Sequence, residues 1–139
     1  MLRTLGIGLL ALVLISCQGG PDRSSPLPAL PDKPAPRAYG ELLERARLLA
    51  NNANSAFYVD NWEQVQEAGR QLEQLALFLP RAEDAPAKQK VVLTTLSNEL
   101  GKLARQLQEM AGTKDVNKTN DVMRLIQLKV REMRLSDSN

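Results

Sequence analysis

Residues 91–110 read VVLTTLSNELGKLARQLQEM. Within them Leu93, Leu96, Leu100, Leu103, Leu107 and Met110 recur in alternating steps of three and four. Residues three and four apart lie on one face of a helix, whereas a strand needs a period of two. The stretch therefore reads as a helix with a single apolar seam, a pattern that buries itself against other helices. Asp84 is the expected N-cap, with Pro86 tolerated in the first turn. Gly112 is the expected stop, because glycine accepts the left-handed conformation that ends many helices.

The same period governs the flanks. A first helix is expected over about 38–57, with a stripe of Leu42, Ala46, Leu49, Ala53 and Phe57, and with Tyr39, Leu43 and Ala50 beside it. Asp60-Asn61-Trp62-Glu63 matches a capping box with Asp60 as the cap, and starts a second helix. Its seam is Trp62, Val65, Gly69, Leu72, Ala76 and Leu79, and Pro80 closes it. Joining the first two helices into one would require continuity through Tyr58, Val59 and Asp60, against the capping box. Asp115 opens a fourth helix with a seam of Val116, Thr119, Met123, Ile126, Val130 and Met133. Four helices of about twenty residues, each roughly 30 Å long, joined by short connections, predict an all-α chain. The expected architecture is an antiparallel up-down-up-down four-helix bundle over 38–135, followed by a polar tail over 136–139.

Composition narrows the chemistry. The 139 residues include one cysteine, no histidine and five aromatics. Without histidine there is no Ser-His-Asp triad, no Cys-His pair, no histidine-ligated haem and no Glu-x-x-His di-iron centre. The 18 basic and 16 acidic residues nearly balance, so no nucleic-acid-binding field is expected. Glu41, Glu44, Arg45 and Arg47 read as a solvated helix face. Lys118, Arg124, Lys129, Arg131 and Arg134 on the fourth helix are spread among Asp115, Asp121 and Glu132 and read as solubilising charge, with weak attraction to anionic headgroups. No enzyme activity, cofactor or metal is expected.

Residues 1–16, MLRTLGIGLLALVLIS, carry one charge, Arg3, ahead of an apolar run. This is the plan of a secretory signal. As a helix the run would reach only about 17 Å, short of the roughly 30 Å of a bilayer core, and with no polar face and a proline-rich sequel it has nothing to pack against as a core helix. Leu14-Ile15-Ser16-Cys17 resembles the lipobox of bacterial lipoproteins. That resemblance implies diacylglyceryl transfer to the Cys17 thiol, cleavage before Cys17 and acylation of the new amine, such as by palmitate. The competing reading is an ordinary signal peptide that leaves a free thiol, a liability in an oxidising compartment. Two or three acyl chains give stable attachment where one does not. The expected location is the cell envelope, on the periplasmic side, with Gln18 after the cysteine favouring the outer membrane over the inner.

Residues 17–37 begin with Cys17, and residues 18–37 read QGGPDRSSPLPALPDKPAPR, with six of the eight prolines. Such a segment is an extended tether of about 3.1 Å per residue, and a PxxP ligand is the alternative use. A helical bundle of this size behind a bacterial signal is similar to the cytochrome c′ family. In that family a C-x-x-C-H motif near the end of the last helix holds haem. Here Leu128-Lys129-Val130-Arg131-Glu132-Met133-Arg134-Leu135 has neither Cys nor His, so no haem residue carries over, and a relative would lack haem.

Three features are left for binding. Phe57, Tyr58 and Trp62 bracket one turn, either as a core plug with Tyr58 half exposed or as a docking spot for a partner. Asn51, Asn52 and Asn54, three asparagines within four positions, weaken the first helix, either as a fraying last turn or as an amide patch, at Asn51 and Asn52, that hydrogen-bonds a partner or a ligand. Gly69 occupies a seam position. It reads either as close helix approach opposite Trp62 or Phe57, or as the wall of a cavity for a small apolar ligand. The function expected is a non-catalytic, lipid-anchored envelope protein that binds an envelope protein partner or plays a structural role. A carrier or sensor of a small apolar ligand is the alternative.

Overall fold

A computed structural model describes residues 28, 37–85, 87 and 89–135. The expected signal peptide over 1–16, Cys17, almost all of the expected tether, Pro86 and the expected polar tail lie outside the described residues. Among those described, the regular structure is entirely helical. The helices are α1 (Tyr39–Tyr58), α2 (Trp62–Phe78), α3 (Lys90–Gly112) and α4 (Val116–Leu135), and a short 3-10 turn, Leu79–Arg81, follows α2. Helix α2 packs on α1 and α3, and α4 packs on α3 and α1, so the four close around one core. No described helix is long and apolar enough to cross a membrane.

The seams expected from the sequence face inward. Leu42, Ala46, Leu49 and Ala53 of α1, Val65 and Leu72 of α2, and Leu93, Leu96, Leu100 and Leu107 of α3 are buried, as are Thr119, Met123, Ile126, Val130 and Met133 of α4. Leu103, Met110, Phe57 and Trp62 are only partly buried and border the core. Val116 departs from the expected seam and is exposed. It is the first residue of α4, and the core begins one turn later at Thr119.

The helix ends differ from the expectation in an instructive way. Asp60 is not the cap of α2. It adopts a left-handed φ of 56°, and Asn61 takes the capping position, its side chain accepting from the Gln64 amide. The Asn61 side chain also donates to Gln64 Oε1, at 3.1 Å, so the capping pair is shifted by one residue to Asn61 and Gln64, and the return bond runs between side chains because the Asn61 backbone amide is already given to Ala56. The Asn61 amide donates to the Ala56 carbonyl and the Asp60 amide to Phe57, the paired bonds of a Schellman ending. The α3–α4 connection repeats the arrangement. Lys114 has a φ of 55°, the Asp115 amide donates to Met110 and the Lys114 amide to Ala111. Asp115 then caps α4 by accepting from the Lys118 amide at 3.0 Å. That bond is the main reason the Asp115 carboxyl sits below its ordinary pKa. Gly112 is thus the last residue of α3 and the left-handed position falls on Lys114.

A lysine held left-handed is strained where glycine is not. Lys114→Gly is therefore expected to stabilise the fold by about 1 kcal/mol, read as a higher urea midpoint at unchanged slope. A lower midpoint would mean that the Lys114–Asp115 connection depends on the lysine side chain.

Asp84 does not cap α3, which begins later, after Gln89, with no side-chain cap. Instead Asp84 Oδ1 accepts from the Tyr39 amide at 2.6 Å. Ala38, at the head of α1, has no side chain able to do this. The loop after α2 therefore supplies the cap that the sequence around α1 lacks, and a carboxylate there also suits the positive end of the helix dipole.

Candidate functional site

Two surface regions gather the residues singled out above. The first lies where the two tight connections meet. Phe57 packs edge-on against Trp62, with ring centroids 5.5 Å apart and planes at 90°. Tyr58 makes a wider edge contact with Phe57 at 6.1 Å. Phe57 and Trp62 close the core at this end, while Tyr58 is 75% exposed and the following Val59 72%. Tyr58 therefore stands further out of the core than a half-exposed plug would. A depression of about 380 Å³ takes Trp62 and Gln66 from the start of α2 and Gly112 and Lys114 from the end of α3 and the connection after it, so both connections line it. Val116, exposed at the start of α4, belongs to the same end.

The second region is a groove of about 580 Å³ along the α1–α4 seam, within the size range of small-molecule sites. Its floor is apolar: Leu43 and Ala50 from α1 and Val130 from α4, all buried. Its rim is charged. Arg47 holds Glu44 at 2.5 Å, and that bond is the main cause of the lowered Glu44 pKa, to which Arg134 adds. Arg131 and Arg134 project from successive turns of α4 into the same groove. Gly40 and Asn51 mark its ends on α1, roughly 16 Å apart along the helix.

The predicted residues therefore separate. Asn51 lines the groove and is exposed, and Asn52 is only partly so. Neither lies in a fraying last turn, since α1 runs on unbroken to Tyr58. The mainly structural reading of Gly69 changes partner. A Cβ there would sit 2.9 Å from Gln108 Cγ and 3.1 Å from the Ala104 carbonyl oxygen. The close approach is thus to the α3 backbone, not to Trp62 or Phe57. Gln108 seals this crossing by donating to Glu73 Oε2 at 2.9 Å, and Glu73 also meets Arg105 at 3.6 Å.

In the sequence the arginines of the groove read as solvated, solubilising surface charge, because the α1–α4 pairing that gathers them is not local. Arg47 and Arg131 carry no joint signal in the chain. Beyond the groove, Lys129 of α4 bridges Glu99 at 2.6 Å and Glu132 at 2.8 Å, and both bonds raise its pKa, Glu132 most. Among the described residues no group of three or more His, Cys, Asp or Glu side chains comes together to hold a metal. Compared with family models, with curated proteins and with solved structures, the chain gives no significant match.

Proposed function

We propose that the protein is a non-catalytic, lipid-anchored component of the bacterial envelope whose helices run in antiparallel up-down-up-down order and offer the turn end to a protein partner. The helix order is supported by cross-links between opposite ends of neighbours. Tyr39 at the start of α1 donates its hydroxyl to the Met133 carbonyl near the end of α4. Gln66 near the start of α2 reaches the Gln108 carbonyl near the end of α3. The anchor rests on the Leu14-Ile15-Ser16-Cys17 sequence, and attachment through acyl chains suits a chain whose described helices do not cross a bilayer.

The observation that carries the docking reading is the exposure of Tyr58 and Val59 on top of the Phe57–Trp62 pair. An aromatic braced by other rings loses little freedom on binding, which is why such residues anchor interfaces. The tether enters α1 at its first turn, and Tyr58 lies roughly 29 Å further along the helix. The surface thus lies at the opposite end of α1 from the residues that lead into it.

The test places a photo-crosslinking residue at position 58 of the full chain in a bacterium that acylates lipoproteins. A discrete adduct with one envelope protein is expected in the membrane fraction. Cys17→Ser is expected to move the chain out of the detergent phase and to abolish the adduct. Unchanged detergent partitioning of Cys17→Ser would refute the anchor. Adducts from an exposed control such as Gln106 but none from position 58 would refute docking at the turn end.

A further inference from the structure

We propose that Arg45 of α1 docks the proline-rich segment at the Pro28 carbonyl, holding it alongside the helix it leads into and so limiting how far the turn end stands from the lipid. The contact stands by itself, and its effect on reach rests on the anchor and docking end proposed above. The Arg45 guanidinium donates through Nη2 to the Pro28 carbonyl. Glu41, Glu44 and Arg47 of the same helix are exposed, as a solvated face should be, but Arg45 is only partly so. Its Nε is covered without a hydrogen-bond partner, as is that of Arg37. Burial is the main reason the Arg45 pKa sits below the ordinary arginine value, with Arg37 adding to the shift and Glu41 opposing it. Glu41 is held by Arg37 at 2.6 Å, so Arg45 turns to a backbone acceptor.

The two partners are chemically complementary. Proline offers a carbonyl acceptor and no amide donor, and residues 26–36 hold five of the eight prolines. Such a stretch cannot satisfy its carbonyls from its own backbone. Arginine has the opposite endowment, five N–H donors and no acceptor. The chain is long enough for the contact. Arg45 lies about 9 Å along α1 from Tyr39, and the ten residues between Pro28 and Tyr39 reach about 31 Å at 3.1 Å per residue. The consequence is a matter of reach. Undocked, residues 18–37 and the length of α1 together allow Tyr58 to stand about 90 Å from the acyl chains. Docked at Arg45, only residues 18–27 and the last 13 residues of α1 contribute, and the limit falls to about 50 Å. Release of Pro28 would nearly double the range over which the turn end can act.

Nitroxides on keto-bearing residues at positions 27 and 48 of the full chain in phosphatidylcholine nanodiscs test this by pulsed electron–electron double resonance, and leave Cys17 untouched. Leu48 is 36% exposed, and it lies three residues beyond Arg45. A narrow distance distribution below about 20 Å is expected. Arg45→Ala is expected to broaden it and to move its centre beyond about 25 Å, with the helical circular dichroism unchanged. Energy transfer from a dye at position 58 to acceptors on the lipid headgroups is expected to fall in the same variant. A broad distribution in the unaltered chain, or a narrow one that survives Arg45→Ala, would overturn the docking of Pro28. Unchanged energy transfer alongside a lengthened 27–48 distance would overturn the control of reach. The short distance is expected to persist in Cys17→Ser away from the membrane. If it does so while the unaltered chain fails to stay in the nanodiscs, the anchor falls and the Pro28–Arg45 contact stands.

Discussion

Leu100→Ala is expected to lower the unfolding free energy by about 2–5 kcal/mol, the largest loss from any single truncation proposed for this chain. Leu100 is completely buried, in the middle of the longest helix. Helix α3 packs against both α2 and α4, so the side chain is enclosed from both sides and the walls cannot easily close over a hole. The loss combines the transfer free energy of the missing carbons with the contacts forfeited by the cavity lining. The neighbouring positions provide the contrast. Leu103 is partly buried, and Leu103→Ala should fall clearly below Leu100→Ala. Urea titration followed by circular dichroism measures both. A loss under about 0.5 kcal/mol for Leu100, the scale of a surface substitution, would remove it from the core.

That contrast shows what periodicity conveys. The three-four alternation identified the inward face of each helix because burial and spacing are the same fact on a helix surface. It ranked Leu103 and Met110 with Leu100, although they sit at the edge of the stripe, where neighbouring helices decide the outcome. Turn chemistry was legible to within one residue. Asp60 and Asn61 are both good caps, and only the backbone bonds from Asn61 to Ala56 and from Asp60 to Phe57 decide which of them is left-handed. Asp84 was legible as a capping residue but assigned to the wrong helix. Its partner, the Tyr39 amide, lies 45 positions earlier, and no local pattern encodes such a pairing.

The candidate sites divide along the same line. Phe57, Tyr58 and Trp62 are close in sequence, so their grouping at one end follows from a single turn. The groove depends on α1 meeting α4, the most distant pair of helices in the chain. Its arginines lie at positions where solvent exposure is the ordinary expectation for any helix. Asn51 gave a signal only through its poor helix propensity.

Gly69→Leu is expected to destabilise the fold by about 1–3 kcal/mol, even though any residue other than proline improves on glycine in a helix interior. The two effects oppose one another, and the distances decide between them. A first carbon at position 69 already lies 3.1 Å from the Ala104 carbonyl oxygen, a backbone atom that moves only if α3 moves. It lies 2.9 Å from Gln108 Cγ, near the root of a side chain that is itself tied to Glu73. Leucine adds three further carbons with no room to place them, so α2 and α3 must separate. Separation would open the contacts of Leu72 and Leu107, both completely buried, and break the Gln108–Glu73 bond. Alanine offers the sharper measurement. Gly69→Ala gains about 1 kcal/mol of helix propensity and loses packing against Gln108. Combining it with Gln108→Ala removes Cγ from the contact. The coupling between the two substitutions should therefore be favourable by about 0.5–1 kcal/mol in a double-mutant cycle of urea midpoints. A stable Gly69→Leu protein with wild-type cooperativity would mean that the crossing of α2 over α3 is looser than these distances require, and would restore space beside Gly69 as a binding cavity.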